Sequence, residues 1–274
     1  MQKIIDYLIE KRGYSFKGFR KEFIEDRITS RMKEKKLKKT DLYLKHLYSE
    51  KEELDEIIKE LTIPVSGFFR NPAIFEIIFQ YILPSQIVKK KSKGDRYFRF
   101  WSAGCSRGEE PYSLTIILKE LFKHEKTDFI IESFATDIDK KALEFAEKAV
   151  YSYDSIKNSR FEWVKNYFEV ENNLFRIKSE IKKAVHFSYH DLRNEKNIVP
   201  PESIFGYFDM VFCRNVLIYY DKKTQHQIIA NLLKSMSPGG YLVLGETESV
   251  LPEYQESIKK KFNFCSIYQK KCIF

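Results

Sequence analysis

Gly104 and Gly108, followed at once by the carboxylates Glu109 and Glu110, are the residues of this chain whose types and spacing bear most directly on chemistry. They lie within Trp101-Ser-Ala-Gly-Cys-Ser-Arg-Gly-Glu-Glu-Pro-Tyr-Ser113. Glycine allows a sharp backbone turn and lets a ligand approach within contact distance. The turn contains neither the Gly-Lys-Ser/Thr of a phosphate-binding loop nor G-x-G-x-x-G, which disfavours a nucleoside triphosphate or NAD. A carboxylate pair would repel phosphates and suit a ligand carrying hydroxyls, an amine and a positive charge.

Further polar residues stand where such a ligand would need them. Asp137 closes the apolar run Phe129-Ile-Ile-Glu-Ser-Phe-Ala-Thr136, the position of the acid that hydrogen-bonds ribose hydroxyls in α/β cofactor domains. It follows Gly108 by 29 residues, which a long intervening helix accommodates. Asp139 is better suited than Asp137 to capping the helix that begins near Lys140. Arg214 and Asn215 emerge from the apolar run Phe208-Asp-Met-Val-Phe-Cys213 and are poor core material. Asp191 ends Val185-His-Phe-Ser-Tyr-His190, in reach of an adenine amine, and the histidines there are too close together for a useful metal site. Of Tyr219 and Tyr220, one is expected to be a packing aromatic. Phe68 and Phe69 are suited to anchoring an irregular segment so that Arg70 reaches a cleft. S-adenosylmethionine has the hydroxyls, amine and sulfonium charge that this set would accept.

These residues need an alternating α/β scaffold. Tyr97-Phe-Arg-Phe-Trp101 reads as a buried strand, and Leu114, Ile116, Ile117, Leu118, Leu121 and Phe122 follow the turn at helical spacing. Strands are also expected at Phe129–Thr136, Phe208–Cys213, Tyr241–Gly245 and Phe262–Tyr268, with helices at Lys140–Ala149 and about 221–236. The reading is a doubly wound sheet over residues 91–274, interrupted at about 152–184 by a helix and a hairpin that turns at Asn172-Asn173. Residues 1–90 read as an all-helical domain. In it Ile4, Ile5, Leu8 and Ile9, then Phe23, Ile24, Ile28 and Met32, recur at helical spacing, Thr40 is expected as an N-cap, and Pro72 opens a further helix. The polar tract Lys89–Asp95 reads as the linker between the two domains.

With 43% hydrophobic and 15% aromatic residues in 274, the chain has ample material for a core. No apolar run reaches the roughly 18 residues of a membrane-spanning helix, and the N-terminus lacks the apolar stretch of a secretory signal. Four cysteines without C-x-x-C spacing read as free thiols in a reducing cytoplasm, not zinc ligands or disulfides. A net charge of +9 admits nucleic acid, an acidic membrane or an acidic protein as partner. It is densest between Arg27 and Lys39.

Five segments in order carry a resemblance: Leu61-Thr-Ile-Pro-Val-Ser-Gly-Phe-Phe-Arg70, Trp101–Ser113, Ala135-Thr-Asp-Ile-Asp139, Phe208–Asp221 and Gly245-Glu-Thr-Glu-Ser249. Through them the chain resembles the chemotaxis-receptor glutamate methyltransferases, the CheR family, over nearly its full length. The resemblance implies a class I methyltransferase fold with an N-terminal helical domain and a small inserted β-subdomain. It implies S-adenosylmethionine contacts at Ser66, Arg70, Glu109, Asp137, Asp191, Leu192, Arg214 and Asn215, with Tyr219, aided by Arg70, at the reacting carboxylate. Pro64, Ser66, Asn71 and Asp191 stand where relatives commonly carry Asn, Thr, Asp and Asn, and Pro64 cannot donate the hydrogen bond its counterpart could.

The implied reaction esterifies glutamate side chains on acidic cytoplasmic helices of chemoreceptors and yields S-adenosylhomocysteine, in a cytoplasmic protein recruited to receptor arrays. No metal and no nucleic acid is expected. The segment holding Arg27, Arg31, Lys33 and Lys36 would complement the acidic receptor helix. A DNA or RNA methyltransferase would also explain the charge. However, the Asn/Asp-Pro-Pro-Tyr/Phe motif and the aromatic-basic interleaving of an RNA-binding module are missing. A non-catalytic, cofactor-binding signalling module has Pro64 as its one supporting feature.

Overall fold

The computed structural model describes residues 1–12, 16–62, 66–204 and 207–272. Helices α1 (Gln2–Arg12), α2 (Lys21–Glu34), α3 (Thr40–Ser49) and α4 (Lys51–Thr62) come first. Their apolar stripes form one cluster: Ile4, Ile5 and Leu8; Phe23, Ile24, Ile28 and Met32; Tyr43, Leu44 and Leu47; Leu54, Ile57 and Leu61. Thr40 is already helical and the cap position is Lys39, one residue earlier than the sequence suggests.

This cluster belongs to a compact unit made of Met1–Pro64 and, from far along the chain, Leu217–Gln227. The later segment is tied in by backbone bonds from Arg20 N to Tyr219 O (2.9 Å) and from Asp221 N to Gly18 O (2.8 Å). The Tyr220 ring lies 4.7 Å from that of Phe19, and the Tyr219 ring 4.9 Å from that of Phe23. Tyr220 is buried and is the packing aromatic of the pair.

Inside the same unit lies a charged network. Arg31 donates from Nε and Nη2 to the two oxygens of Glu53 (3.0 and 2.6 Å), and Tyr43 OH donates to Glu53 Oε1 (2.7 Å). Lys35 Nζ also contacts Glu53 at 3.0 Å. Burial pushes the Glu53 carboxyl up, but the hydrogen bonds from Arg31, Tyr43 and Lys35 outweigh it and hold the pKa at about 2. Arg31 therefore drops out of the basic surface expected between Arg27 and Lys39, because its guanidinium is buried and committed to carboxylates. Lys33, Lys36, Lys38 and Lys39 are exposed.

The second unit comprises Val65–Val216 and Ile228–Phe274. It opens with α5 (Pro72–Ile77), a π-helical turn (Ile78–Ile82) and α6 (Leu83–Ser92). Pro84 lies in the first turn of α6. It offers no N–H to the carbonyl four residues back, which accounts for the widened turn before it. Ile74, Phe75, Ile78, Ile82, Leu83 and Ile87 bury into the same core as Phe98 and Phe100. The division between units thus falls at Pro64/Val65 and not near residue 90, because this helix carries its apolar face into the sheet's core. The tract read as a linker is the end of α6: Lys90 is buried and paired with Asp95 (2.6 Å) and Asp209 (2.8 Å).

The chain continues through β1 (Tyr97–Ala103), α7 (Glu109–His124), β2 (Ile130–Asp137) and α8 (Lys140–Lys148). Next come β3 (Val150–Ser152), α9 (Tyr153–Ile156), α10 (Phe161–Tyr167), β4 (Phe168–Glu171), β5 (Leu174–Ile177) and α11 (Ser179–Lys182). Then follow β6 (Val185–Tyr189), β7 (Phe208–Cys213), a short 3-10 turn (Leu217–Tyr219), α12 (Lys222–Ser235), β8 (Met236–Leu244), β9 (Ile258–Lys260) and β10 (Ile267–Lys270). The main sheet has seven strands in the order β6-β2-β1-β7-β8-β10-β9, and β10 runs antiparallel to both its neighbours. All six residues of β7 are buried, as a strand covered on both faces requires.

The chain winds from β1 outward through β2 and β6 on one side, and through β7 and β8 on the other. The switch point is at the carboxyl ends of β1 and β7, where ligands bind in open α/β sheets. The insertion forms a separate sheet in the order β3-β5-β4. Asn172 and Asn173 both take positive φ (51° and 61°), the left-handed pair that a tight hairpin needs. Three readings of strands change: the strand expected at Tyr241–Gly245 is β8, which already begins at Met236. The insertion gains β3 as a third strand, and the last expected strand is the hairpin β9–β10, with Phe262–Ser266 in its turn.

Candidate functional site

The site grows from the turn between β1 and α7. Gly104 (φ +80°) and Gly108 (φ +87°) are left-handed, and a Cβ on Gly108 would lie 2.8 Å from the Cβ of Ala146. Glycine is required at both positions on backbone and space together. The turn is pinned to β2 by Gly104 N and Cys105 N, which donate to Thr136 O (2.8 and 2.9 Å).

Asp137, at the end of β2, accepts from Ser106 N (2.7 Å) and Asp139 N (2.9 Å). Asp139 caps α8 by accepting from Lys141 N and Ala142 N, so Asp137 is free of that duty. Burial raises the Asp137 carboxyl above the ordinary carboxylate range, against the pull of its backbone donors.

Glu109 and Glu110 occupy the first turn of α7, where the helix dipole favours acids. Glu109 is buried, which raises its pKa even though Ser66 donates a hydrogen bond to it. Its Oε2 has no partner. An unpaired buried carboxylate oxygen costs about 1–3 kcal/mol, so the position calls for a donor from a ligand. Glu110 faces differently: it accepts from Ser102 Oγ (2.7 Å) and lies 3.4 Å from Arg214 Nη1. Burial raises its pKa, and Arg214, Ser102 and Arg70 oppose that rise.

Arg214 follows β7 and is buried. Its Nη2 donates to Arg70 O (2.9 Å) and Asn71 Oδ1 (2.5 Å), while Asn71 Nδ2 donates to Glu246 Oε1 (2.6 Å). Phe68 and Phe69 anchor this strap: Phe68 packs on Tyr151 and Phe168, and Phe69 on Phe75 and Trp163. Asn215 is left-handed (φ 59°).

Asp191 accepts from Arg193 N, Nε and Nη2 (3.0, 2.8 and 2.6 Å). Burial opposes that pairing, yet the pairing wins and the Asp191 pKa is lowered. Leu192 is buried, and Tyr219 belongs to the helical unit. Pro64 lies outside the described residues.

Within the sheet unit the structure thus brings Ser66 to Glu109, and Arg70, Glu110 and Arg214 into one charged group. Ser102 and Glu246, which are not among the expected site residues, and Asn71, noted only as a departure from relatives, are part of that group. The Asp at the end of β2, the glycine turn and the orphaned Glu109 oxygen fit a ligand with ribose hydroxyls and an ammonium group. Among the described residues no group of three or more His, Cys, Asp or Glu is placed to hold a metal ion. No helix among them is long and apolar enough to cross a membrane.

A seven-stranded doubly wound sheet with this acid-lined switch point defines a cofactor-binding α/β domain of the methyltransferase class. Residues 64–265 match the family described as CheR methyltransferase, SAM binding domain, and residues 1–62 match its all-alpha domain. The chain belongs to the CheR methyltransferase family. Among its relatives is a chemotaxis protein methyltransferase of Borreliella burgdorferi, 30% identical, with 91% of this chain and 88% of the relative covered. Another is chemotaxis protein methyltransferase 2 of Vibrio cholerae, also 30% identical, covering 89% and 83%. A chemotaxis protein methyltransferase of Escherichia coli is 28% identical over 90% and 83% of the two chains. S-adenosylmethionine is the methyl donor of this family's sheet domain.

Proposed function

We propose that this protein methylates glutamate side chains on the cytoplasmic helices of chemotaxis receptors, forming glutamate 5-O-methyl esters and S-adenosylhomocysteine. The observation that carries the reading is the composition of the site. Among the described residues, carboxylates, two arginines, two serines and two asparagines gather there without a lysine. The neighbouring Cys105 and Cys213 thiols are pushed up by burial, which keeps them protonated, and His190 beside Asp191 is buried against the Trp101 ring. Glutamate has a pKa of about 4.3 and is already ionised at neutral pH, so its esterification needs no base. A lysine acceptor would arrive protonated and need one.

When bound, S-adenosylmethionine supplies an electrophilic sulfonium methyl group. Ser66, Arg70, Glu109, Asp137, Asp191, Leu192, Arg214 and Asn215 are the residues that would hold it. Asp137 is poised to accept from ribose hydroxyls and Glu109 from the amino group. The remaining task is to strip water from the substrate carboxylate and aim it, and orientation of this kind is worth about 7–11 kcal/mol in favourable cases. Tyr219 is the residue we assign to the carboxylate, as a hydroxyl donor, and Arg70 to its charge.

Receptor-rich membranes incubated with the protein and methyl-tritiated S-adenosylmethionine test this directly. Label on the receptor band supports the proposal. Cofactor binding without transfer to any receptor would leave a non-catalytic signalling module in its place.

A further inference from the structure

The turn Gly245-Glu-Thr-Glu248 follows β8, and its last residue is not among the expected cofactor contacts. Glu248 is 5% exposed. Its Oε2 accepts from Gly245 N (2.7 Å) and Asn215 N (2.8 Å), and its Oε1 accepts from Val216 N (2.8 Å). Its own N–H donates to Gly245 O (3.0 Å), which closes the turn. Ser266 Oγ donates to Glu248 O at 2.7 Å, so the main chain is tied down as well. Strands β7 and β8 are parallel neighbours, with Cys213 opposite Leu244. The carboxylate therefore bridges the loops at the carboxyl ends of two adjacent strands, at the edge where ligands bind.

The bridge has a conformational consequence. Asn215 sits at φ 59°, a region that asparagine tolerates better than other non-glycine residues but that still favours glycine, so a fixed partner for its N–H selects it. Its N–H and that of Val216 converge on one anion, an arrangement of successive backbone donors that binds negative charge. Space is committed to the same end: a Cβ on Gly245 would stand 2.6 Å from Glu248 Oε2 and 2.9 Å from Asn215 N.

We infer that Glu248 is a positioning residue: its carboxylate holds Asn215 in the left-handed conformation that presents the Asn215 side chain to the cofactor. The inference rests on the proposed role of Asn215 as a cofactor contact. Three N–H groups need both carboxylate oxygens, and glutamine offers one acceptor and turns an NH2 toward a donor. Glu248→Gln is therefore a small change in volume that breaks the bridge.

The test is a double-mutant cycle on the full chain, read by calorimetric titration with S-adenosylhomocysteine. The variants are Glu248→Gln, Asn215→Ala and the two combined, with near-ultraviolet circular dichroism to verify folding. Glu248→Gln is expected to weaken binding by on the order of tenfold with Asn215 present, and by no more than about twofold in the Asn215→Ala background. An equal loss in both backgrounds, or none in either, overturns the inference, because a merely structural role would not depend on Asn215. If Glu248→Gln does not fold, Glu248→Asp, which keeps the charge but shortens the reach, is put through the same cycle and judged by the same two results. No binding by the unchanged protein would overturn the cofactor reading and this inference together. Binding by the unchanged protein with additive losses would overturn the inference alone.

Discussion

At the scale of single residues, burial and charge decide what the site can hold. Glu109 and Asp137 both have raised pKa values because they are desolvated at the sheet edge. A ligand with an ammonium group and ribose hydroxyls needs them ionised. Protons therefore compete with the ligand as the pH falls through those raised values. The affinity for S-adenosylhomocysteine is expected to begin falling at a pH above the ordinary carboxylate range, while the protein remains folded. Calorimetric titrations across mildly acidic pH check this, and a flat profile down to the ordinary range would contradict it. Asp137→Asn should weaken binding by about 1.5–3 kcal/mol, the worth of a hydrogen bond to a charged group, and also lower the melting temperature, because the new NH2 would face the N–H of Ser106 or Asp139. Asn71 shows why one substitution relative to the family pattern is tolerable. Its amide accepts from Arg214 and donates to Glu246 at once, and an aspartate could not donate to the second.

At the scale of elements, two devices hold the scaffold in shape. The first is the Arg31–Glu53–Tyr43 network between α2, α3 and α4. Removing one partner of a buried pair leaves an uncompensated charge and costs about 3–5 kcal/mol, so Glu53→Ala should lower the denaturant midpoint markedly. The sign with pH follows from a folded-state pKa near 2 against an ordinary value of 4.5. The contribution is complete above the unfolded value and is lost as pH falls from about 4.5 toward 2, which acid unfolding of Glu53→Gln against the unchanged protein measures. The second device is the glycine turn. At Gly104 (φ +80°) an added Cβ would stand 2.5 Å from Val216 Cγ2. Gly104→Ala should cost about 1–3 kcal/mol from the forced φ alone.

The limits of sequence reading show at this same scale. The first βα unit, Asp137 at its strand end and the Asn172-Asn173 hairpin turn follow from local patterns, and the structure places each where its pattern implies. The reach of the α5–α6 helix into the sheet core does not, because a local apolar stripe says that a helix is buried without saying against what. For the same reason Lys89–Asp95 reads as a solvated linker until Lys90 meets Asp209, more than a hundred residues away. Glu248 is likewise invisible as a bridge, since its partners Asn215 and Val216 lie on another strand's loop.

At the scale of the whole molecule, the net charge of +9 is an electrostatic statement about partners. With Arg31 buried and Lys35 paired with Glu53, the exposed lysines of the basic stretch left without that pairing are Lys33, Lys36, Lys38 and Lys39. An acidic receptor helix would be drawn to it, mainly through the association rate. Reversing Lys33 and Lys36 to Glu should lower kcat/KM for receptor methylation several-fold at low salt and leave S-adenosylhomocysteine affinity unchanged. The difference should shrink as salt rises, because exposed charges more than about 10 Å apart are largely screened at 0.1 M. Unchanged receptor kinetics would remove this surface from the account.

The central claim is that the acceptor is a carboxylate, and the chemistry of the transferred group tests it most directly. Receptor labelled with tritiated methyl groups is treated with mild alkali, and peptides from untreated receptor are mapped by mass spectrometry. The account predicts release of the label as volatile methanol and methylation assigned to glutamate side chains. Alkali-stable label assigned to lysine or arginine nitrogen would contradict it.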